Sequence, residues 1–221
     1  MVITMNKYKK YEFLATICVM AFILSMALVV LAKNKSIYTF TLNHSSVSQT
    51  EVSGMSDFEL KVGYEQLADD FSSFWKKGYE VSGYTIAKAN VDKLNALKAY
   101  YRAAYVFAII SFITGVYCFI VLSKCRLYKP FLYGSALAVF VTSLEALIIM
   151  RSDRPVLLGI RNMVLKEDYS YFADGDILKT LLLPEYARFL ALSYIALVFI
   201  MILIMVLIRG FIIFRGRPHR F

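Results

Sequence analysis

The sequence predicts an all-α membrane protein: four transmembrane helices carrying a mostly helical extracytoplasmic cap. Three observations lead there. The chain has 221 residues, of which 59% are hydrophobic, and its mean hydropathy is +0.58. No soluble domain of that size hides so much apolar surface. Four apolar runs, 13–32, 99–122, 131–150 and 189–208, are each long enough to cross a bilayer core of about 30 Å as a helix. Basic residues also gather in alternate gaps between those runs.

Residues 1–12 form a short basic N-terminus with Lys7, Lys9 and Lys10. The first run, 13–32, reads as a retained span. A cleaved signal peptide is the rival, because Val30-Leu31-Ala32 resembles a cleavage site, but its apolar core would be too long. The polar loop 33–98 follows. Ile37 to Leu42 alternates as a strand would. Ser56-Asp57-Phe58-Glu59 fits a capping box. Behind it, Leu60, Tyr64, Leu67, Phe71, Phe74 and Trp75 recur at helical spacing. Lys76, Lys77 and Gly78 then supply the cations and glycine that favour a helix end. The stripe is expected to pack on other outer segments, since its loop is nearly neutral. A further helix should start near Ala87, present Val91, Leu94 and Leu97 on one face, and run without a break into the second span.

The turn 123–130 carries Lys124, Arg126 and Lys129, and the third span is 131–150. Loop 151–188 looks too ordered for a plain connector. Ser152 and Asp153 can cap a helix opening at Pro155, Asp176 can cap another, and Pro184 suits the first position of the last span. The fourth span, 189–208, leads to the basic tail 209–221.

Charge sets the orientation. The N-terminus, the 123–130 turn and the tail hold ten Lys and Arg against Glu12 alone, which accounts for the whole net charge of +9. Both large loops are balanced. By the positive-inside rule both termini are cytoplasmic and both large loops lie outside. A nucleic-acid partner is excluded, because no basic patch exists away from the membrane borders.

Cys18 and Cys118 lie within apolar runs, and Cys125 sits between Lys124 and Arg126. No disulfide framework follows, although Cys125 stands where acylation occurs. There is no metal-ligand cluster, no cofactor motif, no phosphate loop and no nucleophile elbow. His219 is in the tail; His44, beside Ser45 and Ser46, is the one histidine of the outer loops. Arg102 lies near the outer start of the second span, and Glu145 lies about 7 Å inside the outer end of the third. Charges at such depth are costly and usually paired. They read either as a structural ion pair or as an anchor for a lipid headgroup.

The order of these features resembles a bacterial family of four-span integral membrane proteins that includes the lipoprotein intramolecular transacylase. The residues that carry the likeness are Tyr64-Glu65-Gln66-Leu67, Asn90-Val91 with Leu94, and Asp176-Ile177-Leu178 followed by Leu183-Pro184-Glu185. The resemblance implies acyl transfer within a diacylglyceryl lipoprotein, from the glycerol to the amine of the terminal cysteine. It also implies two motif histidines on the outer face. Their places here hold Ala87 to Ala89 and Arg161. None of these accepts a proton near neutral pH without a large shift, and an arginine stays protonated.

The expected function is therefore a non-catalytic relative that binds membrane lipid or lipoprotein at the outer leaflet, with Arg102, Glu145, Arg161 and Asp176 as binding residues. One alternative is an active acyltransferase with a relocated base, for which His44, Glu145 and Asp176 are the candidates. Another is an accessory subunit of a membrane transporter within a larger complex.

Overall fold

The computed structural model describes residues 2–44, 55–76, 78–81, 83–124, 127–150, 178, 181 and 184–215. Six helices stand out among them: α1 (Val2–Lys33), α2 (Ser36–His44), α3 (Asp57–Ser72), α4 (Lys88–Ser123), α5 (Lys129–Met150) and α6 (Pro184–Arg215). No strand occurs among the described residues. Tyr8–Lys33, Lys88–Ser123, Lys129–Leu147 and Phe189–Arg215 are long and apolar enough to cross a membrane. Proline opens α6, where its missing N–H costs nothing. The chain divides into two compact units, the first being Met1–Leu28, Ala104–Glu145 and Ile195–Phe221, and the second Val29–Ala103 and Ala146–Tyr194.

The first unit is built from lengths of the four long helices. Its buried positions are small or apolar: Ala15, Ile23, Ala27, Cys118, Leu122 and Ala138. The closest approach is at Gly134 of α5. A Cβ added there would stand 2.6 Å from Val19 Cβ and 2.8 Å from the Thr16 carbonyl oxygen of α1. Only glycine lets two backbones come so near, as is usual where membrane helices pack without a hydrophobic drive. Phe119 stacks on Phe131 at 4.1 Å, near the tight turn where the Leu127 N–H donates to the Leu122 carbonyl. Large apolar side chains such as Phe107, Ile113, Phe140, Leu203 and Phe211 face outward, which in lipid carries no penalty.

The second unit has a conventional core. Leu60 and Leu67 of α3 pack with Met55, Tyr79, Val81, Leu94, Leu178 and Leu181. The expected packing of the α3 stripe on neighbouring segments is thus seen. The capping box is present: Glu59 N–H donates to Ser56 Oγ, and the Ser56 N–H donates to the Glu59 carboxylate at 2.7 Å. Two glycines, Gly78 at φ +96° and Gly83 at φ +82°, hold turns that other residues rarely enter.

Three expectations need correction. Ile37 to Leu42 is helical, not strand-like. Asn34 Oδ1 accepts from the Ser36 N–H and starts α2, Thr41 Oγ1 donates to the Ile37 carbonyl, and buried Tyr38 stacks flat on Tyr64 at 3.8 Å. Tertiary packing overrides a weak alternation there. Second, α3 ends at Ser72, because Ser73 turns extended; Lys76 and Gly78 lie beyond it. Third, Trp75 is no part of the buried stripe, being 85% exposed. The helices expected from Pro155 and Asp176 fall outside the described residues, apart from Leu178 and Leu181, which are helical and fully buried.

Candidate functional site

The polar chemistry of the second unit gathers where α3 ends and α4 begins. Asp70, on the last turn of α3, is buried. Its carboxylate accepts from Lys76 Nζ at 2.6 Å and from the Glu80 N–H at 2.9 Å. Lys98 of α4 reaches the same point from the other side. It is only 2% exposed, and its ammonium donates to the backbone carbonyls of Asp70 and of Lys76, the latter at 2.9 Å. A third face of that ammonium meets the Tyr79 ring, 5.4 Å from its centroid. Burial pushes the Tyr79 hydroxyl up to about 12, more than the nearby Arg102 charge lowers it, so it stays protonated at any physiological pH. The bond to Asp70 raises Lys76 above the usual lysine value.

One helical turn beyond Lys98 comes Arg102. Its guanidinium lies over the Phe74 ring at 5.6 Å, and its Nε is buried with no hydrogen-bond partner. A neighbouring open cavity of about 640 Å³ is lined by Asp69, Asp70, Lys76, Tyr79, Glu80 and Tyr84, among others. It falls within the usual range for a small-ligand site.

The residues singled out from the sequence are scattered. Arg102 is in this cluster. His44 closes α2, exposed, with its ring stacked on Phe40 at 4.1 Å and Nδ1 donating to the Phe40 carbonyl at 2.9 Å. In the neutral ring that bond leaves Nε2 as the acceptor. Glu145 is on α5, in the first unit. Arg161 and Asp176 lie outside the described residues. Ala87 to Ala89 sit at the start of α4, where the Ala87 carbonyl accepts from the N–H groups of Asn90 and Val91. Buried Asn90 and Leu94 follow.

Sequence reasoning missed Asp70 and Lys98. A signal existed. Asp70 continues the apolar stripe of Leu60, Tyr64 and Leu67, and Lys98 follows Leu94 at i+4, so both are charges on faces that are otherwise buried.

The family model described as "Lipoprotein intramolecular transacylase Lit" matches residues 13–153. No curated protein matches the chain. Among solved structures, the chain is similar to the membrane-integral lipoprotein intramolecular transacylase Lit of Bacillus cereus. The form with one histidine changed to arginine superposes with a TM-score of 0.85 at 15% identity, over 98% of this chain and 96% of that one. The form with a histidine changed to alanine gives 0.84 at 15% identity, over 98% of each chain. A further structure of the same protein gives 0.83 at 15% identity, over 96% and 98%.

Proposed function

Because this chain is an integral membrane protein that belongs to the lipoprotein intramolecular transacylase Lit family, we propose that it is a non-catalytic member that binds lipid or lipoprotein at the outer leaflet of a bacterial cytoplasmic membrane. The observation that carries this is chemical. Where the family resemblance calls for histidine, the start of α4 offers Ala87, Lys88 and Ala89, and the second outer loop offers Arg161. Acyl transfer to an amine needs a group that takes its proton near neutral pH, and such help is worth about 10² to 10⁴ in rate. Binding is supported by Arg102. It stands one helical turn before the outward-facing Val106 and Phe107 and carries a buried, unpartnered Nε. Glu145, Arg161 and Asp176 complete the proposed binding set. Both termini are cytoplasmic and both large loops outside, on the strength of the charge distribution.

The test is expression in a bacterium that lacks its transacylase, followed by mass spectrometry of lipoprotein N-termini. The expected result is no N-acyl, monoacylglyceryl product, with diacylglyceryl lipoprotein or phospholipid retained by the purified protein and lost in Arg102→Leu. Clear product would overturn the reading.

The geometry of His44 favours one second reading, an active transacylase with a relocated base. The Nδ1–H bond to the Phe40 carbonyl presents Nε2 as the proton acceptor. Product that vanishes in His44→Ala would establish it; product that survives there but vanishes in Glu145→Gln would assign the base to α5.

A further inference from the structure

The turn that follows α3 puts its most apolar side chain into solvent. Trp75 is the one tryptophan of the chain and is 85% exposed. It is also held in place. Trp75 packs edge-on against Phe74 at 5.1 Å. Phe74 lies under the Arg102 guanidinium. Phe71, four residues before Trp75, packs on Tyr101 at 5.8 Å. The Lys76 carbonyl accepts from Lys98, and the Lys76 N–H donates to Ser73 Oγ at 3.3 Å. The Phe74–Arg102 and Lys76–Lys98 contacts fix the 73–76 turn to residues 98–102 of α4, and the Phe71–Tyr101 contact fixes the end of α3 to the same stretch.

That register is informative, because α4 is one continuous helix whose character changes just there. Before it, Asp92, Lys93 and Lys98 are polar. After Arg102, no charged residue follows until Lys124, and Val106, Phe107, Ile109, Ile110 and Ile113 all face outward. With a rise of about 1.5 Å per residue, Val106 is only about 6 Å beyond Arg102. The turn is therefore pinned at the level where the helix passes from water into hydrocarbon. An exposed indole at that level, flanked by a lysine, suits the headgroup layer, where an apolar ring body and a wet N–H are both satisfied.

We infer that the Phe74-Trp75-Lys76 turn is a membrane-interface anchor, with Trp75 seated among lipid headgroups while Lys76 stays bonded to Asp70 and braces the turn from behind. The occupant of this exposed patch is the lipid surface itself, not a protein partner. The anchor sets the depth of α4 at Arg102 and holds the Asp70 cluster just above the bilayer.

Because Trp75 is the sole indole, its fluorescence tests this directly in the full-length protein reconstituted in phosphatidylcholine–phosphatidylglycerol vesicles. A reference protein carries the indole elsewhere in the same unit, as Trp75→Tyr with Tyr84→Trp. Spin-labelled lipid with the label high on the acyl chain should quench Trp75 at least twice as strongly as the reference. Aqueous iodide should quench Trp75 at most half as strongly as the reference. Iodide quenching equal to that of the reference, with no effect of spin-labelled lipid, would overturn the inference. So would quenching by both that does not differ between the two proteins.

Discussion

Adding one methyl group to Gly134 should loosen the contact between α1 and α5. The new Cβ would lie 2.6 Å from Val19 Cβ, 2.7 Å from Val19 Cγ1 and 2.8 Å from the Thr16 carbonyl oxygen. Two of these three atoms belong to the backbone or sit directly on it, so no rotamer change relieves the clash and the helices must part. Overpacking of this kind costs about 1–3 kcal/mol, offset by up to about 1 kcal/mol from the better helix propensity of alanine. For a chain of this length, each kcal/mol moves the melting temperature by about 2–4 °C. With a net cost of about 1–2 kcal/mol, in the middle of that range, Gly134→Ala should melt roughly 2–8 °C below the parent, read by circular dichroism in detergent. Gly115 is the control. A Cβ there meets Cys18 Cβ at 3.6 Å, an ordinary contact, so Gly115→Ala should melt at or slightly above the parent. Val19→Ala should rescue Gly134→Ala only in part, because it removes Cγ1 and leaves the other two clashes. Equal melting of Gly134→Ala and Gly115→Ala would refute the reasoning.

Three further outcomes are expected. The Arg102 guanidinium lies over the Phe74 ring at 5.6 Å, so Arg102→Leu with Phe74→Leu should lose less stability than the sum of the two single changes, whereas strictly additive losses in melting temperature would exclude the interaction. Ser56 holds the Glu59 carboxyl below its ordinary value of 4.5 through backbone and side-chain bonds. The contribution of Glu59 is thus complete above pH 4.5 and fades as pH falls through the lowered folded value, so Glu59→Gln should flatten the acid limb of the stability profile while leaving its slope near neutrality unchanged. Reporter fusions after Lys35 and Asp168 should signal from outside, and those after Arg126 and at Phe221 from inside; a cytoplasmic signal from either large loop would reverse the proposed orientation.

What could be read from the sequence depended on whether a local signal and the tertiary context agreed. The membrane helices were legible because a run such as Phe189 to Ile208 admits almost no other reading. The α3 start was legible because Ser56 and Glu59 satisfy each other locally, whatever surrounds them. The α2 helix was not. Its residues carry a strand-like alternation, and the deciding contact is Tyr38 on Tyr64, some 26 positions away. The end of α3 was misplaced for a related reason. Lys76 and Gly78 look like a C-terminal signature, yet Lys76 is drawn instead to buried Asp70, which requires the chain to turn back after Ser72. The candidate site was the least legible part. Asp70 and Lys98 meet only when α3 and α4 pack, and a charge on an apolar stripe is easily passed over as an irregularity of the pattern.

The two buried thiols give the membrane helices a chemical clock. Cys18 and Cys118 are 7% and 0% exposed, and a Cβ added at Gly115 of α4 would stand 3.6 Å from Cys18 Cβ. Neither can meet an aqueous alkylating reagent until α1 and α4 separate. Their modification rate in the folded protein, with Cys125 replaced, therefore counts the opening events of that seam rather than the nucleophilicity of a surface sulfur. Gly134→Ala and lipid occupancy would each register as a change in that count well below the melting temperature, in a protein whose only indole lies in a different unit and is blind to it.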